Sequence, residues 1–325
     1  YHPYYQIPDT EHILVSSEGT DAGTVSGARV MDETVTPAGD FTYEVLNGSY
    51  CAVTGYTGSD REIVIPSEID GYIVQEISAN AFRNNQTLEK VILPETLERT
   101  GSGIFSGCTA LTYVGFGNRL TAVESSMFSG CTRLSEITIP AGITSIGSSA
   151  FSGCSGLVTV NLPESLDSIH YYAFYNCTAL TRIVLPDMLK SVSGYAFRGC
   201  TSLSSVVLPA AWETVDTGTY GDCSPFADCP SLTEIQLPDG MTRVPDYAFS
   251  GLASLERVVF PASISEIGSR AFNGCSGLTS VTLPEQTAKL DSYAFSDCTA
   301  LQEIRLPESL TQIESGAFYG CTVLT

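Results

Sequence analysis

The sequence predicts a solenoid of short parallel β-strands joined by short helical turns. Three columns of residues predict it. Phenylalanine recurs at Phe82, Phe105, Phe128, Phe151, Phe174, Phe197, Phe226, Phe249, Phe272, Phe295 and Phe318, at intervals of 23 residues except the 29 between Phe197 and Phe226. Three residues after each Phe stands Cys, with Asn85 and Leu252 as the exceptions. Twelve residues after it stands Pro, with Gly117 as the substitute. A fixed period of this size is the signature of a repeat architecture. Further columns fill the unit: Leu at six after Phe, Val or Ile at nine, and Leu, Ile or Phe at eleven.

Each element follows from one unit. In Ala150, Phe151, Cys154 and Leu157 the apolar residues fall at offsets 0, 1, 4 and 7. That spacing is one face of a short helical turn. Residues 158–162 (Val-Thr-Val-Asn-Leu) then alternate as a half-buried strand does. Pro163 ends the strand because it has no N–H to donate to a neighbouring coil. A second apolar pair, Leu166 and Ile169, precedes the next Ala173-Phe174. One unit cannot cover its own apolar side, whereas stacked units bury a continuous core. At about 4.8 Å per strand, ten strand intervals make a sheet roughly 50 Å long.

Composition sets the bounds. The chain has 325 residues, 43% hydrophobic, 16% charged, with a net charge of −21. That hydrophobic content supports a large core. The acidity argues against nucleic acid and against an anionic membrane surface as partners. No apolar run approaches the roughly 18 residues of a membrane span. The start at Tyr1, without Met, reads as a fragment or a processed form.

The conspicuous residues take structural readings first. The Phe column is a core stack. Nine of the eleven cysteines belong to the Cys column, which reads as buried thiols. Equivalent side chains in adjacent coils point the same way, which disfavours a disulfide torsion. A linear column does not converge on a metal. Cys51 and Cys223 stand outside the column, and a local Cys223–Cys229 bridge stays open as a possibility.

The unit written from Leu134, Ile137, Ile139 and Pro140 through Ile143, Ile146, Ala150, Phe151 and Cys154 closely resembles the BspA-like, Treponema-type leucine-rich repeat. The resemblance covers residues 41–325. It implies a leucine-rich-repeat solenoid, a curved and elongated right-handed coil. The organisation expected is an acidic flexible linker over residues 1–40, a capping segment over 41–81, and the repeat array over 82–325 with an insertion at 210–225. Within the cap, strands at Phe41–Val45 and Tyr50–Thr54 flank Asn47-Gly48, a favoured hairpin turn. Residues 61–66 match the repeat strand. The array stops at Leu324-Thr325, before a further strand and without the polar cap that solenoids generally carry.

The resemblance also implies a bacterial secreted or cell-surface protein, extracellular, with a role in adhesion to host or bacterial proteins. Asn47, Asn85 and Asn176 match the three-residue glycosylation acceptor, although Asn176 precedes a core Cys. The histidines are His2, His12 and His170, and no nucleophile-elbow, phosphate-loop or zinc-protease motif is present. No catalytic residue, cofactor or metal site is nominated, and the chain reads as non-enzymatic.

Binding is expected on the outward rows of the strands. One row runs Lys90, Tyr113, Glu136, Thr159, Arg182, Ser205, Glu234, Arg257, Ser280 and Glu303; the next ends at Arg305. These rows hold four of the fifteen basic residues, Lys90, Arg182, Arg257 and Arg305. Tyr113, Arg182, Glu234, Arg257 and Arg305 are the candidate binding residues for a protein partner. The insertion adds Trp212 and Tyr220. Trp212 also fits the slot where other units place Leu or Ile, which would bury it. Tyr172, Tyr195, Tyr247 and Tyr293 each precede a Phe by two and suggest an alternative, glycan binding. A third reading is a spacer that displays another domain.

Overall fold

The computed structural model describes residues 34–221 and 223–325. Residues 1–33 of the segment read as a linker lie outside the described residues. Residues 34–40 pack on the first coil. Thr36 N–H donates to the Val64 carbonyl at 3.0 Å, and the Thr36 hydroxyl accepts from Val64 N–H at 2.9 Å.

The array opens with a hairpin, β1 (Phe41–Asn47) and β2 (Tyr50–Tyr56), in antiparallel register. The Asn47 side chain accepts from Ser49 N–H at 3.1 Å and closes the turn. Next come β3 (Glu62–Val64), β4 (Glu68–Ile69) and β5 (Tyr72–Ile77). β2 pairs in parallel with β5, and β5 in parallel with Arg99–Thr100. The hairpin thereby closes one end of the coil stack.

Each following coil carries two strands, except the coil of Ser205–Val207, where a single bridge from Thr214 to Ser191 replaces the second. The expected strand shrinks to three residues: Thr159–Asn161 is flanked by the turn before it and by Pro163. Its central Val160 is buried and its neighbours are exposed, the alternation its sequence demands. Ser168–Ile169 forms a second, two-residue strand that the sequence shows only as an apolar pair. Register advances by one unit per coil, with Ile146 opposite Ile169 and Ile169 opposite Val192.

The turn around Phe is not helical, which corrects the expected helical turns. Among the described residues the only helical element is a three-residue 3-10 turn, Ala38–Asp40. Two backbone features forbid a helix. The second residue after Phe has positive φ in every coil, for example Gly153 at 72° and Asn176 at 56°. That column contains only Gly, Asn and Asp: Asn84, Gly107, Gly130, Gly153, Asn176, Gly199, Asp228, Gly251, Gly274, Asp297 and Gly320. These are the residues that tolerate left-handed backbone. The backbone donors also alternate. Ser152 and Cys154 donate three residues back, to Ser149 and Phe151, at 3.1 Å each. Ser149, Phe151 and Gly153 donate instead to Tyr171, Ala173 and Tyr175 of the next coil, at 2.9, 2.7 and 2.7 Å. Half of the turn's N–H groups are therefore committed between coils, and no i→i−4 ladder forms.

The core is the predicted one. Ten successive pairs of Phe rings stack with centroids 5.1–6.2 Å apart and planes within 2–24°. The widest step, 6.2 Å, separates Phe226 from Phe249, just after the insertion. There the inter-coil backbone ladder is replaced: the Ser224 hydroxyl donates to the Ala248 carbonyl at 2.7 Å and accepts from Phe226 N–H at 3.1 Å.

The Cys column has a role beyond filling space. Nine thiols each donate to the carbonyl of the Phe one coil earlier, with sulfur–oxygen distances of 3.1–3.2 Å. Asn85, in the same column, instead turns its side-chain oxygen toward the N–H groups of Thr87 and Leu88 at 2.9 Å each. Burial pushes the Cys108 thiol up to about 11 and the Cys154, Cys229 and Cys298 thiols up to about 12. No disulfide joins Cys223 to Cys229; the Cys223 sulfur is buried, 4.0 Å from the Thr217 carbonyl. Because the thiolate is the reactive form, a disulfide reagent such as DTNB should leave the buried column unlabelled in the native protein at pH 8. Half-buried Cys321 should react first, and all eleven thiols should react in guanidinium. Fast native labelling of Cys154, read by mass spectrometry, would refute the buried ladder.

Candidate binding face

The three-residue strands set two outward rows on one face, as the alternation requires. Tyr113 is 49% exposed there, and Arg182, Glu234, Arg257 and Arg305 are all exposed. Two apolar members, Val184 and Val207, are exposed at 47% and 37%. The row is partly self-paired. Lys90 meets Glu62 at 2.9 Å, Arg257 meets Glu234 at 3.7 Å, and Arg182 donates to the Ser205 hydroxyl at 3.2 Å.

The face is not one unbroken sheet, a feature that sequence reasoning missed. Ser205–Val207 pairs with Arg182–Val184, and Glu234–Gln236 pairs with Arg257–Val259. Ser205–Val207 and Glu234–Gln236 are not hydrogen-bonded to each other. The same opening separates Tyr113–Gly115 from Glu136–Thr138, Thr159–Asn161 from Arg182–Val184, and Arg257–Val259 from Ser280–Thr282. By contrast, the two-residue strands run through four coils without interruption in each of two ladders.

Grooves lie at two of these openings. One, of about 450 Å³, is lined by Arg182, Ser205, Val207, Glu234, Gln236 and Pro238. It sits where the insertion separates one coil from the next in sequence. A second, of about 520 Å³, is lined by Tyr113, Gly115, Phe116, Glu136 and Thr138 among others. The structure thus brings Arg182 and Glu234 together on one groove, with Arg257 attached through its ion pair. Tyr113 belongs to the other groove, and Arg305 stands on the last three-residue strand, apart from both.

The insertion residues divide. Trp212 is 3% exposed, edge-on to Phe226 and Phe249, with its indole N–H on the Thr214 carbonyl at 2.9 Å. Of its two readings the buried one holds, and it is not a surface contact. Tyr220 is 50% exposed and lies off the strand face, against Tyr171, Tyr172 and Tyr195.

A charged cluster also lies away from this face. On the two-residue strands, Arg243 meets Asp246, Glu266 and Asp291 at 2.7, 2.9 and 2.8 Å, and Lys289 meets Asp291 at 2.7 Å. Burial alone would raise the Asp291 carboxyl, but the bonds from Lys289 and Arg243 outweigh it and hold the group below the usual carboxylate range.

Among the described residues, no helix is long and apolar enough to cross a membrane and no group of acidic, His or Cys side chains could hold a metal. No curated protein matches the chain. Solved structures do. A leucine-rich repeat protein from Bacteroides ovatus is 24% identical, with 90% of this chain and 93% of that one covered and a TM-score of 0.47. A leucine-rich cell surface protein from Faecalibacterium prausnitzii is 26% identical over the same shares, also at 0.47. The pneumococcal vaccine antigen PcpA is 21% identical, with 90% and 80% covered and a TM-score of 0.57, a likeness of fold. The family model described as a BspA type leucine-rich repeat region matches six copies, over residues 57–177, 124–225 and 224–325. Its matches span the Phe, Cys and Pro columns from the capped end onward, and the chain belongs to the BspA-type leucine-rich repeat family.

Proposed function

We propose that the protein is a non-enzymatic binding module of the cell surface or extracellular space, and that it holds a protein partner on the face of three-residue strands. One observation carries this reading. At the step between Ser205–Val207 and Glu234–Gln236 the ladder opens into a groove that combines exposed apolar surface with an exposed guanidinium and carboxylate. Unpaired strand edges beside such a groove favour an extended polypeptide segment, which supplies both backbone hydrogen bonds and side chains. An extended solenoid face gives room for a long contact. The extracellular placement, the adhesive role and the choice of host or bacterial proteins as partners rest on the family.

The non-enzymatic reading rests on how the nucleophilic groups are placed. Ten of the eleven thiols are buried, and burial pushes Cys108, Cys154, Cys229 and Cys298 up, away from the reactive thiolate. His170 lies 3.4 Å from the Ser168 hydroxyl, at the far end of hydrogen-bond range. Among the described residues no carboxylate is bonded to its ring to orient it, as a triad would need.

Charge reversal tests the face. Arg182→Glu with Arg257→Glu removes two cations and sets a second carboxylate against Glu234. Capture of host-cell and bacterial surface proteins on the immobilised protein, quantified by mass spectrometry, should identify partners. Titration should then show affinity for the captured partner lowered by about tenfold or more. Unchanged affinity in a variant of unchanged thermal midpoint would sink the proposal.

A further inference from the structure

The insertion interrupts an otherwise strict array, and its tip is a built structure. Gly194 N–H donates to the Asp216 carbonyl at 2.8 Å, which ties the insertion to the coil before it. Gly218 N–H returns to the Asp216 carboxylate at 3.0 Å, and Tyr220 N–H to the Thr217 carbonyl at 3.0 Å. Burial and the neighbouring Asp216 carboxylate push the Tyr171 hydroxyl up. Gly218 has φ of 50°, and a Cβ there would fall 2.5 Å from the Tyr171 hydroxyl oxygen. Only glycine lets the loop turn this closely on Tyr171.

That turn sets the Tyr220 ring across three others. Its centroid lies 5.3 Å from Tyr171, 5.6 Å from Tyr172 and 6.2 Å from Tyr195, at interplanar angles of 55°, 88° and 68°. Tyr172 and Tyr195 face each other at 5.5 Å, both on left-handed backbone two residues before a core Phe. Arg198 covers Tyr195 at 4.8 Å and is held by Asp228 at 2.7 Å. Tyr247 and Tyr293 stand in the same column.

A ring serving only to cover the edge of a coil would be buried by its neighbours. Tyr220 touches three rings and still keeps half its surface in water. Exposed Asp216 and Thr219 flank it on the same turn. An aromatic face beside hydrogen-bonding carboxylate and hydroxyl groups is the chemistry that holds a sugar ring: apolar C–H bonds pack on the aromatic face, and the rim hydroxyls pair with the polar groups. We propose that Tyr220 and Asp216, supported by Tyr171, Tyr172 and Tyr195, form a binding site for a neutral pyranose saccharide. The surrounding carboxylates and the net charge of −21 disfavour an anionic glycan. A proline-rich segment needs open slots between parallel rings. Here Tyr220 meets Tyr172 and Tyr195 edge-on, at 88° and 68°, so it forms no parallel slot with them.

This site is separate from the strand face, and the two proposals fail separately. Saturation-transfer NMR and calorimetry with chitotriose, cellotriose, mannotriose and N-acetyllactosamine should show saturable binding of at least one. Tyr220→Ala and Asp216→Asn should each weaken it by about tenfold or more. Tyr220→Trp should retain it, and Arg182→Glu with Arg257→Glu should leave it unchanged. The thermal midpoint and the fluorescence of buried Trp212 report whether each variant is folded. Binding of none of the four sugars overturns the proposal. So does sugar binding that survives Tyr220→Ala, or a polyproline peptide that binds in a Tyr220-dependent way while the sugars do not.

Discussion

Replacing Phe174 by alanine should destabilise the protein by about 3–5 kcal/mol, the range for a fully buried aromatic reduced to a methyl. Phe174 has no exposed surface and stacks on both sides, 5.1 Å from Phe151 at 7° and 5.1 Å from Phe197 at 2°. Its removal opens a cavity between two coils at once. In a one-dimensional array, stability is the sum of coil terms and nearest-neighbour interfaces. A defect in the middle therefore weakens two interfaces. Phe318, in the last described coil, has one ring neighbour, Phe295 at 6.0 Å, and is only partly buried. Phe318→Ala should cost less than half as much. Urea denaturation followed by circular dichroism measures both variants. A loss below about 1 kcal/mol for Phe174→Ala would mean that the coils hold together without the stack, against the packing cost expected of a closed core.

The core was legible because its determinants are periodic side chains. Phe, Leu and Val or Ile recur at fixed offsets; the Phe and Leu columns are buried through the middle of the array, and the Val or Ile column is buried there except at Val206 and Val258. The backbone was legible only in part. Offsets 0, 1, 4 and 7 around Phe151 fit a helical face, but they fit equally any turn that buries those four residues. What decides between them is the residue two after Phe, always Gly, Asn or Asp, and that column is visible in the sequence. It signals left-handed backbone rather than helix. The strand at Ser168–Ile169 carries too few residues for alternation to show. The groove at Arg182 and Glu234 lay beyond sequence reasoning for a different reason. It arises from hydrogen bonds that do not form between particular coils, and side-chain patterns do not record these. The alternation of the strands puts the two rows on one face, whereas their grouping into separate grooves has no sequence signal.

The left-handed column also yields a coupling that pairwise substitution can measure. Gly199 has φ of 75°, and a Cβ on it would fall 2.1 Å from the Asn176 side-chain oxygen of the preceding coil. The same geometry sets Asn84 against Gly107 at 2.2 Å and Asp297 against Gly320 at 2.1 Å. Where one coil uses Asn or Asp at this position, the next uses Gly. Gly199→Ala should therefore cost more than the roughly 1–2 kcal/mol of left-handed strain alone, because the methyl collides with Asn176. Asn176→Gly removes that oxygen. The double variant Asn176→Gly with Gly199→Ala should be more stable than the sum of the single changes implies, by about 1 kcal/mol or more. Gly130→Asn is the control. Asn tolerates φ near 74°, and the next coil offers Gly153, so its cost should stay within a few tenths of a kcal/mol of zero. Additive single and double effects, with Gly130→Asn as damaging as Gly199→Ala, would mean that the column is set by backbone strain alone. A positive coupling would mean that each coil's residue constrains the choice in the next. In that case an inserted or shuffled coil would have to match its neighbours at this position as well as at Phe and Cys.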